Sequence, residues 1–253
     1  IGFDNPSSNS VSRSADGILY AAANGASVVN CSFGSASPSF ADVSVIEEAT
    51  ELGALIVAAA GNAGSSQAFY PASYPRVLSV AATRDDDRLA FFTNTHSTVD
   101  VCAPGVAVYS TVPNGRYDFL DGTSMASPVA AAIAGMVRLV QPTLSPDETR
   151  AVVMSSCDNI DNMNGVFLGQ FGVGRVNAEN AVTSGAARWA SIVDPVFSDT
   201  DGDAFLEPGE SVDVTVTLRN ELGRLADAVV VVTTAPAAFS PDRENGLGRR
   251  SFG

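Results

Sequence analysis

Two hydrophobic periods alternate along residues 1–187. Residues 54–60 and 77–82 are nearly continuous runs of Ala, Val, Leu and Ile, too short for a helix and without the polar alternation of a strand that faces water; 27–31 is a shorter run of the same kind. Such runs are strands covered on both faces, as in a parallel sheet. Residues 40–52 instead place apolar side chains at helical spacing and turn Glu47, Glu48 and Glu51 outward. Upstream, Ser14 or Asp16 is positioned to cap a helix running to Ala23. Residues 99–102 and 106–111 supply two more short strands, and 117–120 is strand-like. A long helix over 124–140 is closed by Pro142. Another over 145–156 has Ser145 as N-cap, Pro146 in its first turn and Glu148 as the acid of a capping box. A last helix covers 177–183. The class is α/β with a mostly parallel sheet.

From about residue 190 the period becomes two. Val212, Val214, Val216 and Leu218 alternate with Asp213, Thr215, Thr217 and Arg219, the signature of a half-buried antiparallel strand over 211–219, and 228–234 reads as its neighbour. Two domains are expected: an α/β domain over 1–187 and the start of a β-sandwich module over 188–253. The polar tail 241–253 closes no strand, so that module is expected to be cut short. Ile1 stands where a Met would, and nothing resembles a signal peptide, so the N-terminus is expected to be missing, processed or cropped.

Composition narrows the partners. Acidic residues number 28 against 14 basic ones, all Arg, for a net charge of -14. Phosphate backbones are bound by clustered cations, and no basic patch is visible, so nucleic acid is excluded as a partner. The Ala-rich stretch 128–140, broken by Gly135 and Arg138, falls short of the roughly 20 apolar residues of a membrane span. Cys31, Cys102 and Cys157 have no close metal-ligand spacing, and they read as buried small hydrophobes or as one disulfide plus a free thiol.

Candidate chemistry concentrates in Asp121-Gly122-Thr123-Ser124-Met125-Ala126-Ser127-Pro128, between a strand-like run and the long helix. The first turn of a helix offers free N–H groups and the positive end of its dipole, so Ser124 can be a nucleophile beside an oxyanion site. It can equally be an ordinary helix cap. Ala126 takes the last Gly of a G-x-S-x-G elbow, which disfavours an α/β-hydrolase.

This segment resembles the serine motif of the subtilisin-like serine proteases, and four further segments match in that family's order. Val29-Asn30-Cys31-Ser32-Phe33-Gly34-Ser35 is similar to the strand lining the substrate cleft, and Ala58-Ala59-Ala60-Gly61-Asn62 to the oxyanion-hole segment. Tyr70-Pro71-Ala72-Ser73-Tyr74-Pro75 with 77–82, and Asp100-Val101-Cys102-Ala103-Pro104-Gly105, complete the series. The resemblance implies a three-layer subtilisin-like domain lacking its N-terminal part, in a secreted or cell-surface, extracellular endopeptidase with a polypeptide substrate. It implies Ser124 as the acylated nucleophile and the Asn62 amide with the Ser124 N–H as oxyanion donors. Ser32, Phe33 and Gly34 would pair with an extended substrate, and Ala59, Ala60 and Gly61 would wall its first specificity pocket. A small residue often precedes the Tyr-Pro pair in the family; here it is Phe69, which shortens the pocket if it points inward and is otherwise plain core.

The family's triad runs Asp, His, Ser, and its Asp and His are expected before residue 1. The sole histidine, His96, matches a surface loop, so the chain alone is expected to be inactive. The competing reading is a non-catalytic surface or adhesion protein.

A second constellation starts at Asp199. Asp199, Asp201, Asp203, Glu207 and Glu210 stand at positions 1, 3, 5, 9 and 12, with the Phe205 carbonyl at 7, the ligand pattern of an EF-hand-type calcium loop. Ala204 replaces the turn glycine and a strand follows in place of a helix. The loop therefore reads as structural calcium leading into the sandwich, or else as an acidic linker. Asp85, Asp86 and Asp87 read as solvated surface.

Overall fold

The computed structural model describes residues 13–183 in full, together with the backbone of two strands at 189–199 and 212–222. Two compact units, Ile1–Ala187 and Arg188–Gly253, are distinguished.

In the first unit the elements run α1 (Ser14–Ala23), β1 (Val28–Cys31), α2 (Phe40–Glu51), β2 (Leu55–Ala59), β3 (Leu78–Thr83), β4 (Val101–Pro104), β5 (Val108–Val112), β6 (Arg116–Leu120), α3 (Thr123–Val140), α4 (Pro146–Ser155), α5 (Asp161–Asn164) and α6 (Ala178–Thr183). Strands β1 to β4 pair in sequence order and all in parallel. The two central strands are buried at every position, which is why they read as continuous apolar runs. Ile56 and Ala58 pack with Ile18, Ala22, Ile46 and Ala49 of α1 and α2. The pleat turns Leu55, Val57 and Ala59 to the other face, where α3 lies across all four strands with α4 and α6 beside it. Three layers result.

Helix α3 has 18 residues with a mean hydropathy of 1.4, and among the described helices it alone is long and apolar enough to cross a membrane. It starts at Thr123, one residue before the expected start, and so is longer than the Ala-rich stretch 128–140 alone. Here that apolar character faces protein, for Ala126, Ala130, Ile133, Ala134 and Val137 are buried against the sheet.

The capping box of α4 forms as expected: the Glu148 amide donates to Ser145 Oγ at 3.2 Å and the Ser145 amide to Glu148 Oε2 at 2.7 Å. Neither Ser14 nor Asp16 caps α1. A cap must precede the first helical residue, and that place is held by Arg13 at φ 59°, whose guanidinium bonds Asp16 at 2.7 Å. The Asp85–Asp87 run is also more than solvated surface. Asp86 pairs with Arg88 at 2.9 Å and Asp87 with Arg175 at 2.6 Å, while Asp85 alone stays exposed. Arg175 also holds Asp158 at 2.5 Å, and the Asn177 amide with this guanidinium keeps the Asp158 carboxyl below its usual range. All three cysteines are free thiols; Cys31 and Cys102 are fully buried and Cys157 partly so.

In the second unit, β7 (Trp189–Asp199) and β8 (Val212–Leu222) form an antiparallel pair. The register slips between Val193 and Val196, where Pro195 brings no N–H to the ladder. One neighbour of the 211–219 strand is thus upstream of it, and the expected strand at 228–234 lies outside the described residues, as does the tail.

One buried ion pair ties the layers of the first unit. Asp100, which precedes β4, accepts the Ser79 amide at 2.9 Å and is bound by two guanidinium nitrogens of Arg150 on α4. Burial pushes its carboxyl up, opposed by Arg150 and the Ser79 amide. Gly172, at φ +82°, lies so close to the Asp100 backbone that a Cβ would overlap it. Asp100→Ala orphans both the Ser79 N–H and the Arg150 guanidinium, and a destabilisation of about 3 kcal/mol is expected in denaturant titration. A loss below 1 kcal/mol would show the pair to be dispensable.

Candidate active site

Open parallel sheets offer a crevice beyond the carboxyl ends of their strands. Here Ser32, Phe33 and Gly34 leave β1 on one side, while Ala59 ends β2 and Ala60 and Gly61 leave it on the other; the strands are in register at Cys31 and Ala58. The N-terminus of α3 enters beside them. Glycines allow this approach: a Cβ on Gly105 would stand 2.6 Å from Ala82 Cβ and 2.8 Å from the Gly122 carbonyl oxygen. The Gly122 amide donates to the Gly105 carbonyl at 2.8 Å, closing the seam between β4 and α3.

Ser124 is the second residue of α3 and is partly exposed. Its Oγ donates to the Ser32 carbonyl at 3.3 Å, and the Ser32 hydroxyl donates to the Ser124 carbonyl at 2.9 Å. Asn62 is exposed but held. Its Oδ1 accepts from the Thr123 amide and the Thr123 hydroxyl, each at 2.8 Å, and the Gly61 amide donates to Thr123 Oγ1 at 3.2 Å. With its oxygen engaged, the Asn62 amide must present Nδ2 on the other side, and that nitrogen lies 3.6 Å from where a Cβ on Gly122 would stand. The Met125 and Ala126 amides both donate to the Gly122 carbonyl. Asn62 Nδ2 and the Ser124 N–H are left without a protein partner among the described residues. Two uncharged donors at the positive end of an 18-residue helix can hold a developing oxyanion.

Phe69 lies between the two walls. A Cβ on Gly34 would come within 2.5 Å of its Cε1, and one on Gly61 within 3.0 Å of its Cγ. The exchange of amide and carbonyl bonds between Ser35 and Tyr70, both at 2.8 Å, fixes this arrangement. Ala59 and Ala60 are buried at the rim of β2. Cys31, next to Ser32, is not a competing nucleophile, since burial pushes its thiol up to about 12.

His96 is engaged in its own loop: Nδ1 is 2.9 Å from Thr98 Oγ1 and accepts the Thr98 amide at 3.1 Å, while its backbone N–H donates to Gln170. The same loop contributes a residue that sequence reasoning missed. Asn94 is buried; its Oδ1 accepts the Ala63 amide at 2.8 Å and its backbone N–H donates to the Gly61 carbonyl at 2.9 Å, so it splints the turn that carries Asn62. No local signal marks it, because its partners lie some thirty positions away. Thr123 was visible within the serine motif, and its hydroxyl was the overlooked part.

Of the calcium constellation, Asp199 closes β7, and Asp201, Asp203, Phe205, Glu207 and Glu210 lie outside the described residues. Among the described residues no three His, Cys, Asp or Glu are grouped to hold a metal.

A thermophilic serine proteinase of Bacillus sp. (strain AK1) is 41% identical over 180 residues, covering 71% of this chain and 43% of that protein. Subtilisin Savinase of Lederbergia lenta is 38% identical over 174 residues, covering 69% of this chain and 63% of its own length. The chain thus spans less than two thirds of these relatives. Among solved structures, the protease from Pseudoalteromonas arctica PAMC 21717 superposes with a TM-score of 0.63 at 29% identity, over 67% of this chain and 57% of that one. The family model described as the subtilase family matches residues 1–174, and with the parallel sheet and the serine at the head of its central helix, the chain belongs to that family.

Proposed function

We propose that the protein is a serine endopeptidase in which Ser124 Oγ attacks the peptide carbonyl, its proton passes to a histidine supplied from outside these residues, and water hydrolyses the resulting acyl-enzyme. The observation that carries this reading is the fixed Asn62 amide. Thr123 occupies its oxygen, so that Nδ2 and the Ser124 N–H are preorganised as a pair. A triad Asp and His from a preceding segment accords with Ser124 Oγ bonding, among the described residues, only to the Ser32 carbonyl and with His96 being engaged elsewhere. An extended substrate would lie between Ser32–Phe33–Gly34 and Ala59–Ala60–Gly61. With Phe69 between these walls, the first pocket takes small or medium side chains. The acidic, lysine-free composition suits an extracellular protein. The loop from Asp199 to Glu210 would hold a structural calcium, since five carboxylates and a carbonyl make a hard-oxygen donor set.

In the full-length gene product a fluorophosphonate is expected to label Ser124, with labelling abolished in Ser124→Ala. Asn62→Ala is expected to lower kcat by about 10²–10³-fold, a magnitude taken over from a subtilisin. Absence of labelling would instead favour the non-catalytic surface protein.

Phe69→Gly opens the pocket, and hydrolysis after large aromatic residues is expected to rise roughly tenfold or more relative to small ones. A wild-type preference for large aromatics would refute the shallow pocket. Titration calorimetry on the full-length protein is expected to show calcium binding that the Asp201→Asn, Asp203→Asn double variant lacks; unchanged binding would leave the loop an acidic linker.

A further inference from the structure

We propose that Asn30 is a positioning residue of the active site, aiming a hydrogen-bonded relay that replaces the helical bond Pro128 denies to the Ser124 carbonyl. In an α-helix the carbonyl of residue i accepts from the N–H of residue i+4. For Ser124 that residue is Pro128, which lies inside α3 and has no N–H. The nucleophile's own carbonyl would therefore be unpaired at the point where the helix must be most accurately seated.

The missing donor comes from 92 positions earlier in the chain. Ser32 Oγ donates to the Ser124 carbonyl at 2.9 Å. A hydroxyl carries one proton and can turn it in several directions, so something must aim it. Asn30 Nδ2 donates to Ser32 Oγ at 2.9 Å, which occupies a lone pair and leaves the Ser32 proton for Ser124. Asn30 Oδ1 in turn accepts from Ser127 Oγ at 2.7 Å, and Ser127 is fully buried at the start of the second turn of α3. Every donor in the relay Ser127, Asn30, Ser32, Ser124 points the same way. Flipping the Asn30 amide would draw the Ser32 proton back toward residue 30 and leave the Ser124 carbonyl bare, so only one polarity satisfies all four groups. The relay starts and ends on α3 and passes through β1 and its exit, fastening the nucleophile's turn to the edge of the substrate crevice.

That Ser124 is a nucleophile rests on the peptidase reading above; the relay itself rests on these contacts. Asn30→Asp preserves shape and the acceptor for Ser127 but cannot donate to Ser32, and its carboxylate captures the Ser32 proton. In the full-length gene product kcat and the rate of fluorophosphonate labelling are expected to fall about 10–100-fold with KM changed less than about twofold, the size of loss that a misplaced reacting group produces. Pro128→Ala returns an N–H at i+4, and in that background the loss from Asn30→Asp is expected to shrink below about threefold. A loss of equal size in both backgrounds, or none in either, overturns the proposal. Melting temperatures of the same four proteins read the relay without catalysis: Asn30→Asp should lower Tm, and less so with Pro128→Ala. If the wild type is not labelled at Ser124 the peptidase reading fails, and that Tm pattern then decides whether the relay stands.

Discussion

The seating of α3 across the four parallel strands is the constraint on which the rest of the unit depends. Its buried face is built largely from alanines at helical spacing, Ala126, Ala130 and Ala134, with Ile133 and Val137 filling the wider part of the interface. Small side chains let the helix axis come close to the sheet, and Gly105 removes the last obstacle at its N-terminal end. That closeness decides the chemistry. A helix only an ångström or two farther away would carry Thr123 out of reach of both Asn62 and the Gly61 amide, and the turn after β2 would lose the partner that orients its one side-chain donor.

Polar groups in this fold are placed where the apolar layers need alignment rather than adhesion. Asp100 with Arg150 and the Ser79 amide links α4 to the sheet, Arg175 gathers Asp87 and Asp158 from separate loops, and Asn164 receives the Leu89 amide while donating to the Asp87 carbonyl. Hydrophobic burial is indifferent to small rotations, whereas a side chain that must meet two backbone groups is not. The loops at both ends of the strands are therefore tied to one another and to the helices although they are short of regular structure.

Periodicity made most of this fold legible. The buried strands and the helices α2, α3 and α4 lie within a few residues of where apolar spacing puts them, because burial itself imposes the spacing. The capping box of α4 was readable since its three residues are neighbours. What escaped was either nonlocal or locally atypical. Strand β7 carries Pro195 and a register slip, so its alternation is broken; the cap of α1, though not the helix itself, escaped because Arg13 is no capping residue; and α5 is a four-residue turn with no amphipathic face to detect. At the site, Ser124 and Asn62 were found because their segments resemble a family's motifs. Asn94, the Thr123 hydroxyl, Asn30 and Ser127 act through partners tens of residues away, and nothing in a linear pattern encodes a hydrogen bond of that span.

The contact between Ser124 Oγ and the Ser32 carbonyl has one consequence for how the cleft would work. On the proposed reading that same carbonyl would accept the backbone N–H of an incoming peptide, and its two lone pairs would serve both donors. Nucleophile and substrate backbone would then be referred to a single oxygen, so that whatever sets the Ser32 carbonyl also sets the distance between hydroxyl and ligand.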